Sequence, residues 1–246
     1  MPNTAQIVAD TIVERGTVAA WWLSGTGFVL KTSAGTQVYI DPYFSNCVKA
    51  IFGIERAVPP PIAVEEAQPD LVVATHWHED HLDPEGLPVL ARRSATHFLC
   101  PPSCRSRLLG WGVANERVTP ITAGETWTFR DVRITAAPAR HEAGLAGWEV
   151  PDAIGLLIEA EGLRIYHTGD TEYDLRLRAL AYDKARPIDV MMAVINGAGG
   201  NMNAHEAALL AWHQLPRSGP RPPQLAPRAA ATPLWQNPQG RLWLAL

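Results

Sequence analysis

The sequence has few cysteines, no long apolar run and no basic stretch, and each absence excludes a class of protein. Its three cysteines do not form a CxxC pair, which excludes a zinc ribbon and a disulfide framework and predicts reduced thiols in a cytoplasmic protein. No apolar run approaches the ~20 residues that a membrane helix needs, and residues 1–9 lack the features of a signal peptide. The net charge of −4, without a basic run, argues against nucleic acid as a partner.

What is present favours a large domain with a sizeable core, since 47% of the residues are apolar. Short apolar runs separated by turn residues predict strands at 18–23, 27–31, 37–40, 71–74, 97–100, 126–129, 132–136, 154–159, 163–167 and 188–195. Helices are expected at 86–93, 103–110 and 203–212. This alternation is typical of an α/β sandwich with helices outside two packed sheets.

The composition changes abruptly after Trp212. Five prolines fall between Pro216 and Pro227, and such a segment cannot hold a regular helix or a central strand. We therefore divide the chain into a domain over residues 1–212 and an atypical tail, rich in Pro, Arg and Ala, over residues 213–246. Our hypothesis is that the tail is translated from a shifted reading frame or is divergent.

The strongest motif is His76-x-His78-x-Asp80-His81, directly after a predicted buried strand. Where a strand gives way to a loop, His76 and His78 can point their imidazoles at one ion. Asp80 and His81 turn the other way and suit a second ion nearby. Imidazole and carboxylate together are suitable ligands for Zn²⁺, Mn²⁺ or iron.

Two ions need more ligands, and two later segments offer them. His141 follows one predicted strand, and Asp170 follows another that ends at His167. A carboxylate such as Asp170 can bridge two cations, and Gly169 lets the backbone approach closely. His167 is left open between a residue that supports the site and a plain strand histidine, whereas His97 is interpreted as a core histidine.

The motif and the two later segments resemble the metallo-β-lactamase superfamily. Other runs resemble its L-ascorbate-6-phosphate lactonase-like branch and are specific only in combination: residues 18–23, 25–27, 40–42, 109–113, 166–171 and 196–203. The resemblance spans about residues 15–212. It implies the metallo-β-lactamase fold, a four-layer αββα sandwich, which the atypical tail would leave incomplete at the C-terminus.

The resemblance also implies a set of six metal ligands: His76, His78, Asp80, His81, His141 and Asp170. The three histidines 76, 78 and 141 would hold one ion, Asp80 and His81 the other, and Asp170 would bridge them. Asp80 would also orient the nucleophile as a catalytic residue. Asp41 would be structural or support a ligand, and Asn203 and Glu206 are left open between facing the site and capping the helix.

In one place the sequence departs from the family. After the helix that ends near Trp212, the family continues into a strand and a Pro-x-His segment, whose histidine completes the second metal site. The only later histidine here is His213, which directly follows the predicted helix. We therefore expect a weakened second site and an activity that is low or depends on the metal concentration.

These residues predict a metal-dependent hydrolase with two divalent ions, Zn²⁺ or Mn²⁺, with iron as an alternative. Two cations lower the pKa of a shared water from ~15.7 towards ~7, which supplies a metal-bound hydroxide to attack a lactone or ester carbonyl. The branch resemblance implies a small-molecule substrate similar to a sugar-acid lactone, phosphorylated or not. No membrane partner is expected, and a homo-oligomer is left open.

Three other interpretations are kept. The first is a phosphodiesterase or another ester hydrolase of the same fold, because a fold alone does not select a reaction. The second is redox chemistry at a di-iron site, since the same ligands accept iron. The third is an inactive metal-binding relative that lacks the last metal histidine.

Overall fold

A computed structural model describes residues 3–93, 95–142, 147–174, 176–177, 188–214 and 243–245. Within these ranges, twelve strands form two six-stranded sheets. The strands are β1 (Ala19–Ser24), β2 (Gly27–Lys31), β3 (Gln37–Ile40), β4 (Leu71–Val73), β5 (His97–Cys100), β6 (Val118–Pro120), β7 (Thr126–Phe129), β8 (Val132–Pro138), β9 (Ile154–Ala160), β10 (Leu163–His167), β11 (Val190–Ala193) and β12 (Trp243–Ala245). The helices described are α1 (Thr4–Asp10), α2 (Cys47–Phe52), α3 (Leu87–Ala91), α4 (Pro102–Gly110) and α5 (Ala204–Gln214), with a 3-10 turn at Asn115–Arg117.

The first sheet has the strand order β1-β2-β3-β4-β5-β6. Strands β1, β2 and β3 are antiparallel, whereas β3 to β6 run parallel to one another. The carboxyl ends of parallel strands meet at one edge of a sheet, where ligands commonly bind. The residues that follow β3 and β4, Asp41 and the loop from Thr75, are therefore neighbours.

The second sheet has the order β12-β11-β10-β9-β8-β7. Its strands pair antiparallel except for β10 and β11, which are parallel. The β9–β10 hairpin turns at Glu161 and Gly162, whose φ angles of 55° and 81° are typical of a tight two-residue hairpin turn. The loop after β10 brings Asp170 to the same end of the sandwich as the carboxyl end of β4.

Three apolar clusters separate four layers. The central cluster joins the facing sides of both sheets, for example Val73 of β4 and Ile134 of β8. A second cluster packs α3 and α4 on the outer face of the first sheet, and a third packs α5 on the outer face of the second. The chain thus has the helix–sheet–sheet–helix layering that the sequence predicts.

Two short helices and one short strand differ from the sequence-based expectation. The helices α1 and α2 have seven and six residues, and β6 has three. Elements this short span too few residues to show a helical or alternating period, which is why the pattern does not reveal them. Of the helices that the structure describes, none is long and apolar enough to cross a membrane.

The C-terminal part of the chain is described only in pieces. Helix α5 continues two residues beyond the predicted domain boundary and so contains His213. Strand β12 pairs antiparallel with β11 and is an edge strand of the second sheet. A proline-rich sequence is tolerated better at an edge strand than at a central one. The rest of the predicted tail, 215–242 and 246, lies outside the described residues.

Candidate metal centre

The histidine-rich loop is held by a carboxylate from the neighbouring strand. Asp41, directly after β3, accepts hydrogen bonds from the backbone N–H and the hydroxyl of Thr75, each at 2.7 Å. The same carboxylate lies 2.8 Å from Nδ1 of His81. One buried side chain therefore fixes both the beginning and the end of the loop, which agrees with the supporting role expected for Asp41.

Three imidazoles converge on one point. Nδ1 of His78 lies 3.0 Å from Nε2 of His76 and 3.1 Å from Nε2 of His141. All three side chains are buried. Burial lowers the pKa of each imidazole, that of His141 to about 4, so that the neutral rings present lone pairs to a common centre.

The backbone connects the strand ends that carry these ligands. The N–H of Arg140 donates to the hydroxyl of Thr171, and its carbonyl accepts from the N–H of Glu172 at 2.7 Å. The segment before His141 is thereby attached to the loop that carries Asp170. Strand β9 is also joined to the histidine-rich loop, because the N–H of Ile154 donates to the carbonyl of Thr75.

A second group of possible ligands consists of His76, His81 and Asp170, whose ligand atoms all lie within 4.8 Å of one another. Oδ2 of Asp170 is 3.5 Å from Nε2 of His81 and 3.8 Å from Nε2 of His141. This carboxylate therefore lies between the two groups. Asn201 Nδ2 donates to Oδ2 of Asp170 at 2.8 Å and so fixes its orientation.

The position of Asp170 depends on the glycine before it. Gly169 has a φ of 60°, and a Cβ there would lie 2.6 Å from the carbonyl oxygen of Ile154. A side chain at this position would therefore both strain the backbone and collide with β9. The close approach expected for Gly169 is confirmed, and it lets the chain turn sharply enough to point Asp170 at the histidines.

The charges of the second group are coupled. Burial acts to lower the pKa of His81, but the carboxylates of Asp170, Asp80 and Asp41 outweigh it and raise that pKa well above the usual value. Burial acts to raise the pKa of Asp170, but the surrounding histidines, His81 first, outweigh it and lower that pKa. These carboxylates favour positive charge at this position, whether a proton or a metal ion carries it.

Asp80 lies at the open side of the centre. Its Oδ1 is 3.9 Å from Nε2 of His81, and its side chain is 52% exposed. It is absent from both compact groups of buried ligand atoms found among the described residues. The structure thus places Asp80 beside the second group, at its border with solvent.

The other histidines and the α5 residues lie away from the ligand groups. His167 is buried below the centre, with Nε2 2.9 Å from the carbonyl of Thr26 and Nδ1 accepting from the N–H of Gly169. His97 is half-buried and stacks on Trp127, so it is a packing residue as expected. Asn203 and Glu206 form a reciprocal capping box at the start of α5, which settles the open choice in favour of capping.

Sequence reasoning missed three neighbours of the centre. Oε2 of Glu142 is 3.9 Å from Nε2 of His78, and burial raises the pKa of this carboxyl group. The same His78 atom lies 3.3 Å from the carbonyl oxygen of Trp148. Asn201 is the third. Two signals for these neighbours were available in the sequence. Asn201 belongs to the 196–203 run that resembles the family, and Glu142 directly follows His141.

The donor set fits divalent metal ions. One buried oxygen, Oδ1 of Asp170, has no hydrogen-bond partner among the described residues, while the other oxygen is anchored by Asn201. Buried polar atoms rarely lack a partner, and a carboxylate that faces several imidazoles is a common metal ligand. Within the described ranges, both compact ligand groups occur at this one end of the sandwich.

Residues 36–217 match the family model described as the Beta-lactamase superfamily domain. Among curated proteins, the chain is 28% identical over 197 residues to "Probable L-ascorbate-6-phosphate lactonase UlaG" from Shigella boydii, and 28% identical over 199 residues to the Escherichia coli O139:H28 protein of that name. Each match covers 65% of this chain and 56% of the relative. The chain thus spans little more than half the length of these relatives.

Among solved structures, the chain is similar to Igni18, a metallo hydrolase from the archaeon Ignicoccus hospitalis. The TM-score is 0.61 with 21% sequence identity, and the match covers 81% of this chain and 79% of that one. At this identity the likeness concerns the fold alone. It confirms the αββα architecture that the motif and the strand pattern predicted.

Proposed function

The chain belongs to the metallo-β-lactamase superfamily, in which it is similar to the lactonase-like proteins, and from this we propose that it is a metal-dependent hydrolase of lactones or esters. The observation that carries the proposal is the meeting of two ligand groups around Asp170 at one end of the sandwich. A small-molecule substrate similar to a sugar-acid lactone is favoured by the names of the curated relatives.

We assign the ligands as the family resemblance implies them. His76, His78 and His141 would hold one ion, and their short nitrogen–nitrogen distances support this. Asp80 and His81 would hold the other, and Asp170 would be shared. When bound, the two divalent ions lower the pKa of water and polarise the substrate oxygen.

The remaining groups orient these ligands. The Asp41 carboxylate beside Nδ1 of His81 directs Nε2 of that ring towards Asp170, as partners of metal-bound histidines commonly do. Asn201 holds Asp170 in the same way. Asp80, at the open side, orients the water that attacks the carbonyl carbon. As the water oxygen bonds to the carbonyl carbon, the water loses a proton, and the acyl C–O bond breaks. The products are a carboxylic acid and an alkoxide that takes up the proton lost by the water, and in a lactone both groups remain on one molecule.

We further propose that residues 213–246 differ from the 1–212 hydrolase domain because of a shifted reading frame or divergence. This would explain the missing Pro-x-His segment and a weakened second metal position. Sequencing the encoding DNA tests it. A second frame that encodes a strand followed by Pro-x-His supports the proposal, and a DNA sequence in which no frame encodes them contradicts the frame shift.

The activity is tested with the full chain, loaded with Zn²⁺ or Mn²⁺ and assayed on a panel of lactones, esters, thioesters and phosphodiesters. We expect turnover of lactones or esters that a chelator abolishes. His141→Ala should lower kcat/KM by more than about 100-fold, whereas His205→Ala, an exposed histidine on α5, should leave it unchanged. Turnover of phosphodiesters alone favours the alternative hydrolase, and no turnover with two bound ions favours an inactive relative.

A further inference from the structure

Exposed apolar side chains cluster beside the metal centre. The end of α2 and the residues after it present Ile51, Phe52 and Ile54, the last with 63% of its surface exposed. The ring of Phe52 contacts the ring of Trp148, with centroids 5.3 Å apart. We call Phe52 and Trp148 the aromatic rim. Phe52 ends helix α2 and Trp148 lies in the loop before β9, so this contact between distant parts of the sequence is a feature of the folded chain.

The aromatic rim adjoins a predicted metal ligand. The ring of Trp148 lies 6.1 Å from the ring of His78, and its carbonyl oxygen is 3.3 Å from Nε2 of that histidine. A substrate whose reacting carbonyl reaches the metals would therefore place an adjacent group against these rings. Large exposed apolar patches in soluble proteins often mark binding sites.

Asp80 is also one of the residues that line a small cleft. Its volume is about 190 Å³, and Trp22, Val48, Ile54 and Val58 contribute its apolar lining. An engineered apolar cavity of about 150 Å³ in another protein binds benzene, so this cleft has room for a phenyl ring or a short alkyl chain. Ile54 belongs both to the lining of the cleft and to the exposed apolar residues at the end of α2, two positions after Phe52.

The polar side chains of this cleft are already engaged within the protein. The guanidinium of Arg56 donates to the carbonyl oxygens of Val58, Tyr43 and Ser45 and to the hydroxyl of Ser24, which uses four of its five N–H groups. The hydroxyl of Tyr43 accepts from a backbone N–H. The cleft therefore offers a substrate apolar surface and few hydrogen-bond donors.

Other cations near the centre are paired with carboxylates. Arg140 Nε is 3.4 Å from Glu172, and Lys49 Nζ is 2.7 Å from Glu55. Asp80 and the partly buried Glu142 are the carboxylates on this side of the centre. A phosphate group placed here would meet like charge without a dedicated arginine, and such juxtaposition costs binding energy.

We propose that the substrate carries an uncharged apolar group, about the size of a phenyl ring, next to its scissile carbonyl, and that the aromatic rim and the adjoining cleft bind it. The inference rests on the proposed hydrolytic function and names its substrate class. It departs from the sugar-acid lactone that the names of the curated relatives favour, because it predicts that aryl or alkyl lactones and esters are better substrates than sugar lactones, phosphorylated or not.

The test compares three γ-lactones that carry a phenyl group, no substituent or a phosphomethyl group, on the full metal-loaded chain. We expect kcat/KM to be about 10- to 100-fold higher for the phenyl lactone than for the other two. Trp148→Ala and Phe52→Ala should each reduce the ratio of phenyl to unsubstituted lactone by about fivefold or more. Because this ratio is compared between each variant and the wild type, the intrinsic reactivity of the lactones cancels. Trp212→Ala, which removes an exposed tryptophan on α5, should preserve it.

A second readout separates this inference from the proposed function. The ring-opened acids of the phenyl and unsubstituted lactones are titrated calorimetrically against the same proteins. A preference for the phenyl acid that is lost in Trp148→Ala, without turnover of any lactone, overturns the hydrolytic function but supports apolar recognition. A preference for the phosphomethyl lactone, or ratios that neither rim variant changes, overturns the inference even if lactones are hydrolysed.

Discussion

Both ends of the sandwich carry clusters of charged side chains. At the hairpin end these side chains are hydrogen-bonded within the protein, whereas at the metal end they face one another as possible ligands. At the hairpin end, Asp131, Glu161 and Asp189 line a cleft of about 430 Å³, larger than the one beside the metal centre. Each of these carboxylates accepts hydrogen bonds from the protein: Glu161 from Ser33 and Gly16, Asp131 from Thr36, and Asp189 from the N–H of Arg164. Glu161 and Asp131 connect turns of the two sheets, and Asp189 joins the beginnings of β10 and β11 within the second sheet.

At the metal end, by contrast, several buried acceptor atoms face one another. The three neutral imidazoles share a centre, and one oxygen of Asp170 has no partner among the described residues. This comparison indicates that the functional end is the one with unpartnered acceptor atoms on Asp170 and the imidazoles, and not the one with the larger cleft. Buried acceptors without partners are costly unless a ligand satisfies them.

The strongest test of this contrast is His76→Ala. His76 is assigned to the first ion, and its ligand atom also lies within 4.8 Å of those of His81 and Asp170, so its loss should remove the first ion, disturb the second and lower activity by more than about 100-fold. Metal analysis after gel filtration, together with kcat/KM, measures both effects. His97→Ala, which removes a histidine that stacks on Trp127, should leave the metal content unchanged. Equal metal content in wild type and His76→Ala would refute the assignment of His76 as a metal ligand.

Asp41→Asn probes the residues that orient the ligands. Replacing the carboxylate beside Nδ1 of His81 should weaken metal affinity at the second group by about 10- to 100-fold, while the three-histidine group keeps its ion. Chelator competition followed by metal analysis distinguishes the two positions. Asp131→Asn at the hairpin end is the matched control. If Asp41→Asn lost both ions equally, the separation into two groups would be wrong.

The unmodified chain should itself hold its two ions unequally. Because the family's last metal histidine has no counterpart in the sequence, we expect the second ion to dissociate at a metal concentration at least about tenfold higher than the first. Dialysis against decreasing Zn²⁺ or Mn²⁺, with the metal-to-chain ratio measured at each step, gives both affinities. Two ions that are retained with equal affinity would contradict this expectation.

The smallest expected effect is that of Glu161→Gln at the hairpin end. Hydrogen bonds from Ser33 and Gly16 lower the pKa of Glu161 below its usual 4.5, so the stabilisation is full above that value and is lost as the pH falls through the folded pKa. The variant should lose about 1 kcal/mol at pH 7 and lower Tm by about 2–4 °C. Its Tm should also depend less on pH in the acidic range. A loss of activity at neutral pH would show that the hairpin end contributes to function.

Much of the fold could be predicted because its strands are short apolar runs with clear boundaries. Strands β2, β3, β5, β7 and β10 begin and end where the pattern places them. The buried strand before His76 is confirmed as Leu71–Val73, and the capping box of α5 is visible as Asn203 and Glu206. The short helices α1 and α2 were missed because their sequences are too short to show a period.

The sequence indicated the ligand types of the candidate site but not the residues that surround them. Residue type and spacing pointed to His76 through His81, since imidazoles at alternate positions after a buried strand share a direction. The approach of Glu142 and Trp148 to His78 had no such pattern. Trp148 is separated from His78 by 70 residues, and only the packing of the two sheets brings them together.

The sequence by itself determined the chemistry of the centre, because ligand type and local spacing are written in consecutive residues. Tertiary structure decided the rest: the meeting of His141 with His78 across 63 residues, the anchoring of Asp170 by Asn201, and the contact between Phe52 and Trp148. These contacts arise from strand order and sheet packing, which bring distant segments together at the carboxyl ends of the strands, and no local pattern encodes their distances.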